Sequence, residues 1–253
     1  MQFDKAAYKT AKERIISLIK SSHDWENTEG FIADGVICPD VYEKQPLRIL
    51  CILAESYGYD GNKVEDIEDQ LRTDLMGLAK PRVQTPKKLA TLLHLIQRSV
   101  ETGTKVSRDE WREMPEFFRA LPENTVILQE ALSKVAWINV KKASRAEGTK
   151  MDAEEVYDHA KRNEHVLREQ IQSIAPNLIF VCGRVPFQSL LDMDLLGSGV
   201  QSDRLWNLQE SKNGTWVIEI SHPAFPRDWR SYDNLFRNYE QLLAQMALLG
   251  ALR

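Results

Sequence analysis

Paired cysteines, long apolar runs and an excess of positive charge are all missing from this chain. Its three cysteines, Cys38, Cys51 and Cys182, are odd in number and far apart, which excludes a disulfide framework. Two of them lie inside apolar runs, Arg48–Ala54 and Leu178–Gly183, and read as reduced core residues. No cysteine or histidine spacing suits a zinc ribbon or an iron–sulfur cluster, so no metal or other cofactor is expected. The apolar runs stop well short of the roughly 20 residues that cross a bilayer, so no membrane partner is expected. The opening Met-Gln-Phe-Asp-Lys lacks the apolar core of a signal peptide, and a soluble, cytoplasmic chain is the expectation. With 33 Lys and Arg against 37 Asp and Glu, the net charge is −4, so contact with nucleic acid must rest on local patches. Aromatics are absent from Gly61 to Glu110.

What is present is a chain of 253 residues, 43% hydrophobic, long enough to bury one large core. Phe3, Ala7, Ala11, Ile15 and Ile19 recur at helical spacing and predict an amphipathic helix over 2–20. Asp24 to Pro46 has no sustained period and carries Gly30, Gly35, Pro39 and Pro46, so it reads as irregular. The run Arg48–Ala54 predicts a strand buried on both faces, followed by the turn-rich Glu55–Gly61. Helical spacing recurs over 64–78 and 86–100, and Ser107-Arg-Asp-Glu110 is a capping box opening a further helix.

Three more strands are expected at Val135–Val140, Leu178–Cys182 and Trp216–Ile220, the last in a hairpin with 204–209 around the turn Ser211–Gly214. One long helix is expected over 152–174, a short one over 186–191, and a closing one over 232–249. The alternation predicts an α/β fold, a three-layer α/β/α arrangement with a small, mostly parallel sheet of about four strands. The expected organisation is one domain over 1–253, with 1–46 as an N-terminal helical and irregular elaboration and a monomer as the default state. His159 and His165 lack the i, i+4 spacing of a helical zinc site and read as surface residues, while His94 reads as packed.

In parallel sheets ligands bind at the carboxyl ends of the strands. The residues there are Glu55 after the first strand, Asn139 then Lys141 and Lys142 at the second, Gly183 and Arg184 after the third, and Ser221-His222-Pro223 after the fourth. Breaking an N-glycosidic bond leaves positive charge on the sugar and negative charge on the departing base. Glu55 could stabilise the sugar cation or orient water, and His222 could donate an N–H to the leaving base. Asn139, with donor and acceptor atoms, suits reading the edge of a flipped base.

Ala54-Glu55-Ser56-Tyr57-Gly58, Trp137-Ile-Asn139-Val-Lys-Lys142 and Ser221-His222-Pro223-Ala224, in that order over about Arg48 to Tyr239, resemble the motifs of the uracil-DNA glycosylase superfamily. The resemblance implies that fold, a catalytic Glu55 and His222, base recognition by Asn139, and no cofactor. Ala54 and Tyr57 stand where the iron–sulfur branch has glycine and proline, and its cluster cysteines are missing. With no aromatic soon after the first motif, Tyr57, Tyr59 or Trp137 is expected to stack on the base. Lys141, Lys142 and Arg145 after the second strand, and Arg227, Trp229 and Arg230 after the His-Pro loop, are candidate DNA contacts, with Trp229 or Phe225 as an unstacking wedge. The expected function is a DNA glycosylase acting on uracil or a modified pyrimidine, in repair or in defence against phage. The alternatives are a non-catalytic DNA- or protein-binding module on the same fold, and an N-glycosidase of free nucleosides.

Overall fold

The structure is a computed structural model that describes residues 2–21, 32–55, 65–66, 84–113, 122–143, 150–201, 205–223 and 232–248. A helix α1 (Lys5–Ser21) is followed by two very short strands, β1 (Ile32–Ala33) and β2 (Gly35–Val36), a helical turn α2 (Pro39–Tyr42) and the first long strand, β3 (Ile49–Leu53). After β4 (Glu65–Asp66) come helices α3 (Gln84–Thr102), α4 (Arg108–Glu113) and α5 (Pro122–Ser133), then strand β5 (Val135–Asn139). The chain continues through α6 (Ala153–Arg162), α7 (Glu164–Ile174), β6 (Leu178–Cys182), α8 (Arg184–Asp192), β7 (Leu208–Glu210), β8 (Trp216–Ile220) and α9 (Tyr232–Leu248).

The main sheet has six strands in the order β2-β5-β3-β6-β8-β7. The four long strands run parallel, as expected, while β2 and β7 add antiparallel edges. The sheet is thus wider than four strands because the hairpin arm β7 joins one edge and Gly35–Val36, too short to show a period, joins the other. The hairpin of β7 and β8 forms as expected.

Every residue of β3, β5 and β6 is buried, which is why these strands read as unbroken apolar runs rather than alternating ones. Along β3, Ile49, Cys51 and Leu53 point to a core shared with α3, α4, α5 and α9. Leu50, Ile52 and Ala54 point to a second core shared with α1, α6, α7 and α8. Helices therefore cover both faces, and the layering is α/β/α.

Local sequence accounts for the starts of α4 and α6. Ser107 and Glu110 form the expected capping box: Ser107 Oγ accepts from the Glu110 amide at 3.1 Å and Glu110 Oε2 from the Ser107 amide at 2.8 Å. Asp152 caps α6 by accepting from the amides of Glu154 and Glu155.

Three expectations need correction. The single helix over 152–174 is two helices, because Asn163 leaves helical geometry (φ −107°, ψ 23°) while its side chain donates to the His159 carbonyl at 3.0 Å. His159, expected at the surface, is buried, whereas His165 is exposed. At the start of the helix expected over 64–78, Glu65 and Asp66 form β4, which pairs in parallel with β1; 67–78 lies outside the described residues.

The N-terminal segment supplies both a strand of the sheet, β2, and a helix over one of its faces, α1. Tyr8 on α1 accepts a hydrogen bond from the buried Val36 amide at 2.6 Å, tying α1 to the edge strand β2, while Phe3 meets Tyr42 edge-on at 5.1 Å. Among the described residues no helix is long and apolar enough to cross a membrane. Replacing Tyr8 with Phe keeps the packing but leaves the Val36 N–H without its acceptor. A loss of about 1–3 kcal/mol in unfolding free energy by urea denaturation is expected, with no change in helical content.

Candidate functional site

Register places the candidate residues on one edge of the sheet. Leu53 of β3 is opposite Asn139 of β5, and the pairing continues one step beyond the strands, with the amides of Val140 and Lys141 donating to the carbonyls of Leu53 and Ala54 at 2.9 and 2.8 Å. On the other side Cys182 of β6 is opposite Ile220 of β8, and the Gly183 amide donates to the Ile220 carbonyl at 2.8 Å. Asn139, Glu55, Gly183 and His222 therefore follow one another along a single rim, at the carboxyl ends of adjacent parallel strands. The chain leaves β3 toward β5 on one side and returns to β6 on the other, so the rim includes a topological switch point beside Glu55. At about 4.8 Å per strand, the strand bearing His222 is about 10 Å from that of Glu55 and about 14 Å from that of Asn139.

The Glu55 side chain is buried against Lys141, whose Nζ is 3.2 Å from Glu55 Oε2 and 2.8 Å from Glu155 Oε1 on α6. Asn139 is buried against Asp34, which precedes β2. Asp34 Oδ2 accepts from the Asn139 backbone amide at 2.6 Å and from its side-chain Nδ2 at 3.3 Å. The other oxygen, Oδ1, accepts from Lys142 Nζ at 2.6 Å and from Gln170 Nε2 at 2.8 Å, and Gln170 Oε1 in turn accepts from Lys142.

His222 closes the far end of the rim. Gly183, at φ +108°, lies so close that a Cβ there would stand 3.4 Å from the Cβ of His222, and the backbone angle itself favours glycine. Lys88 on α3 donates to the Pro223 carbonyl at 3.0 Å, and Trp206 Nε1 donates to Ser221 Oγ at 3.3 Å, so the loop is held on both sides. Burial, with a smaller contribution from the Lys88 charge, lowers the His222 pKa below the ordinary histidine value. Its neutral form is favoured. Beneath this loop Glu219 is buried and paired with Arg184 at 3.1 Å; burial raises its pKa against the opposing pull of Arg184.

Glu55, Asn139 and His222 thus share one rim, and Glu55 touches Lys141. The expected role of Lys141 and Lys142 as phosphate contacts does not fit their placement. Both side chains are almost fully buried, with their ammonium groups directed onto carboxylates. Two consecutive lysines in a sequence look like a basic patch, but a lysine at a sheet edge beside buried acids is drawn inward by charge pairing. Tyr57, Tyr59, Arg145, Phe225, Arg227, Trp229 and Arg230 lie outside the described residues.

Sequence reading missed Asp34 and Gln170, which hold Asn139 and Lys142, and Glu155 and Lys88, which hold Lys141 and the His-Pro loop. Asp34 sits in a stretch with no period, and its only local cue is the adjoining Gly35. Compared with known proteins, the sequence matches no protein-family model and no curated protein.

Two outcomes follow for these side chains. Lys142→Ala leaves the Asp34 carboxylate buried without its countercharge and should cost about 3–5 kcal/mol in unfolding free energy. It should leave the salt dependence of any oligonucleotide binding unchanged, whereas loss of a phosphate contact lowers that slope by about 1. For His222, the unfolded chain takes up its proton near pH 6.5 while the folded chain resists it until lower pH. Its contribution to stability is therefore complete above about pH 6.5 and declines as pH falls through the window below. His94 carries the same sign. Comparing wild type with His222→Asn by denaturant melts from pH 8 to 5 isolates the contribution, and the variant should show the shallower acid decline.

Proposed function

We propose that this protein is a DNA glycosylase that takes a flipped uracil or modified pyrimidine at the rim of the parallel sheet and hydrolyses its N-glycosidic bond. The observation that carries this reading is the register that sets a carboxylate, a carboxamide and an imidazole at the ends of neighbouring parallel strands. The distance between the strands of Asn139 and His222 suits a nucleoside held between them better than direct contact of the two.

In this reading water adds to the anomeric carbon as the bond to the base breaks; the electron pair leaves with the base, and the proton lost by the water passes to Glu55 and from there to solvent. Glu55, held at the rim by Lys141, offers negative charge to the sugar cation and orients the water. His222 is neutral at physiological pH and donates an N–H to the base oxygen where negative charge develops. Asn139 reads the base edge with one amide orientation. The substrate is DNA whose base has left the stack, with contacts to the backbone supplied from the rim loops.

A second reading, a non-catalytic binding module on the same fold, is favoured by one feature. Lys141 and Lys142, the cations nearest Asn139 in sequence, are engaged by carboxylates rather than turned outward.

Incubation with oligonucleotides carrying uracil and a panel of modified pyrimidines, followed by alkaline cleavage, separates the two. Abasic sites should form on at least one substrate. Glu55→Gln should slow single-turnover excision by about 100- to 10,000-fold and His222→Ala by about 100- to 1,000-fold, with oligonucleotide affinity changed little. Binding that falls steeply with salt but yields no abasic site from any substrate would favour the module. Full activity in a variant carrying both Glu55→Gln and His222→Ala would contradict the catalytic assignment.

A further inference from the structure

The cluster around Asp34 does more than neutralise a buried lysine. Asp34, Asn139, Lys142 and Gln170 are 4%, 1%, 1% and 3% exposed, and they come from the N-terminal segment, the end of β5, the residues after it and α7. Burying a charged pair with its amide partners is rarely a gain in stability over apolar side chains of the same volume. What such a cluster supplies is geometry, because each polar group has a fixed partner.

That geometry converges on Asn139. A carboxylate oxygen only accepts hydrogen bonds, so the end of the Asn139 amide that faces Asp34 Oδ2 must be the NH2 end. The same oxygen accepts from the Asn139 backbone amide, which fixes main chain and side chain to one atom. Lys142 and Gln170 hold the opposite oxygen, so the carboxylate cannot rotate without breaking several bonds at once. Gln170 also donates to the Asp34 backbone carbonyl at 2.9 Å, locking the residue at both ends.

We propose that Asp34 is the positioning residue for Asn139, fixing the orientation of its carboxamide and with it the donor and acceptor order that selects the base. Lys142 and Gln170 act through Asp34 by holding its carboxylate in place. This rests on the glycosylase reading for its consequence in base choice, but the clamp itself is a property of the free protein. A carboxamide free to flip by 180° exchanges donor for acceptor and accepts the wrong base edge equally well; a clamped one does not.

The test uses the full chain and two readouts. In the first, NMR exchange of the Asn139 side-chain NH2 with water is measured, its resonances identified by their loss in Asn139→Asp. In wild type these hydrogens should exchange slowly compared with those of exposed asparagines; exchange at the exposed rate would overturn the proposal. In the double variant Asp34→Asn with Lys142→Met, which removes both charges together so that neither is left buried alone, exchange should quicken about 10- to 100-fold, the worth of one charge-assisted hydrogen bond. Unchanged exchange in that folded variant would also overturn it. In the second readout, the ratio of excision rates for the preferred pyrimidine over cytosine in matched oligonucleotides should fall by a similar factor. A normal ratio alongside quickened exchange would reject the link to base choice. Absence of excision by wild type would reject the glycosylase reading while the exchange measurement still decides the clamp.

Discussion

The parallel pairing of β3 with strands on both sides is the constraint from which the rest of this structure follows. Because Ile49–Leu53 is paired residue by residue to β5 on one side and along most of its length to β6 on the other, the three strands end nearly level. Side chains that follow them emerge on a common rim. A one-residue slip would turn Ile49, Cys51 and Leu53 toward the wrong core and would separate Glu55 from Lys141. The two apolar cores, each filled by alternate residues of the same strand, are what make that slip costly.

Charge at the rim is arranged by burial rather than by exposure. Lys141 and Lys142 are consecutive, yet one ammonium meets Glu55 and Glu155 while the other meets Asp34 and Gln170. Adjacent residues at the end of a strand project to opposite sides, so one dipeptide serves two carboxylates. His222 stands apart from both and is kept neutral by burial and by the Lys88 charge. A fixed amide and an anionic group therefore stand side by side on the rim, with a neutral imidazole one strand further on past Gly183, and the three have no net basic field of their own.

Much of this was legible in the sequence wherever a feature is local. The run Arg48–Ala54 and the Ser107/Glu110 capping box each carry their own structural instruction, and each appears where the pattern put it. Glu55, Asn139 and His222 could be placed together because strand ends in a parallel sheet converge. What was hidden depends on distant partners. Gly35–Val36 is too short to show alternation and becomes a strand only because β5 offers an open edge. Asp34 is found only through contacts 105 to 136 residues away in sequence. The break at Asn163 turns on one side chain competing with the helix for a carbonyl, which periodicity does not register.

The central claim is that the ends of β3, β5, β6 and β8 form one ligand site. Titrating the isotopically labelled protein with a short duplex containing a stable abasic-site analogue, and following backbone amide shifts, addresses it most directly. The account predicts that Glu55, Asn139, Gly183 and His222 shift together with one common midpoint, while residues at the opposite edge of the sheet, such as Ile49 and Leu178, stay still. Shifts confined to that opposite edge, or separate midpoints for Asn139 and His222, would contradict it.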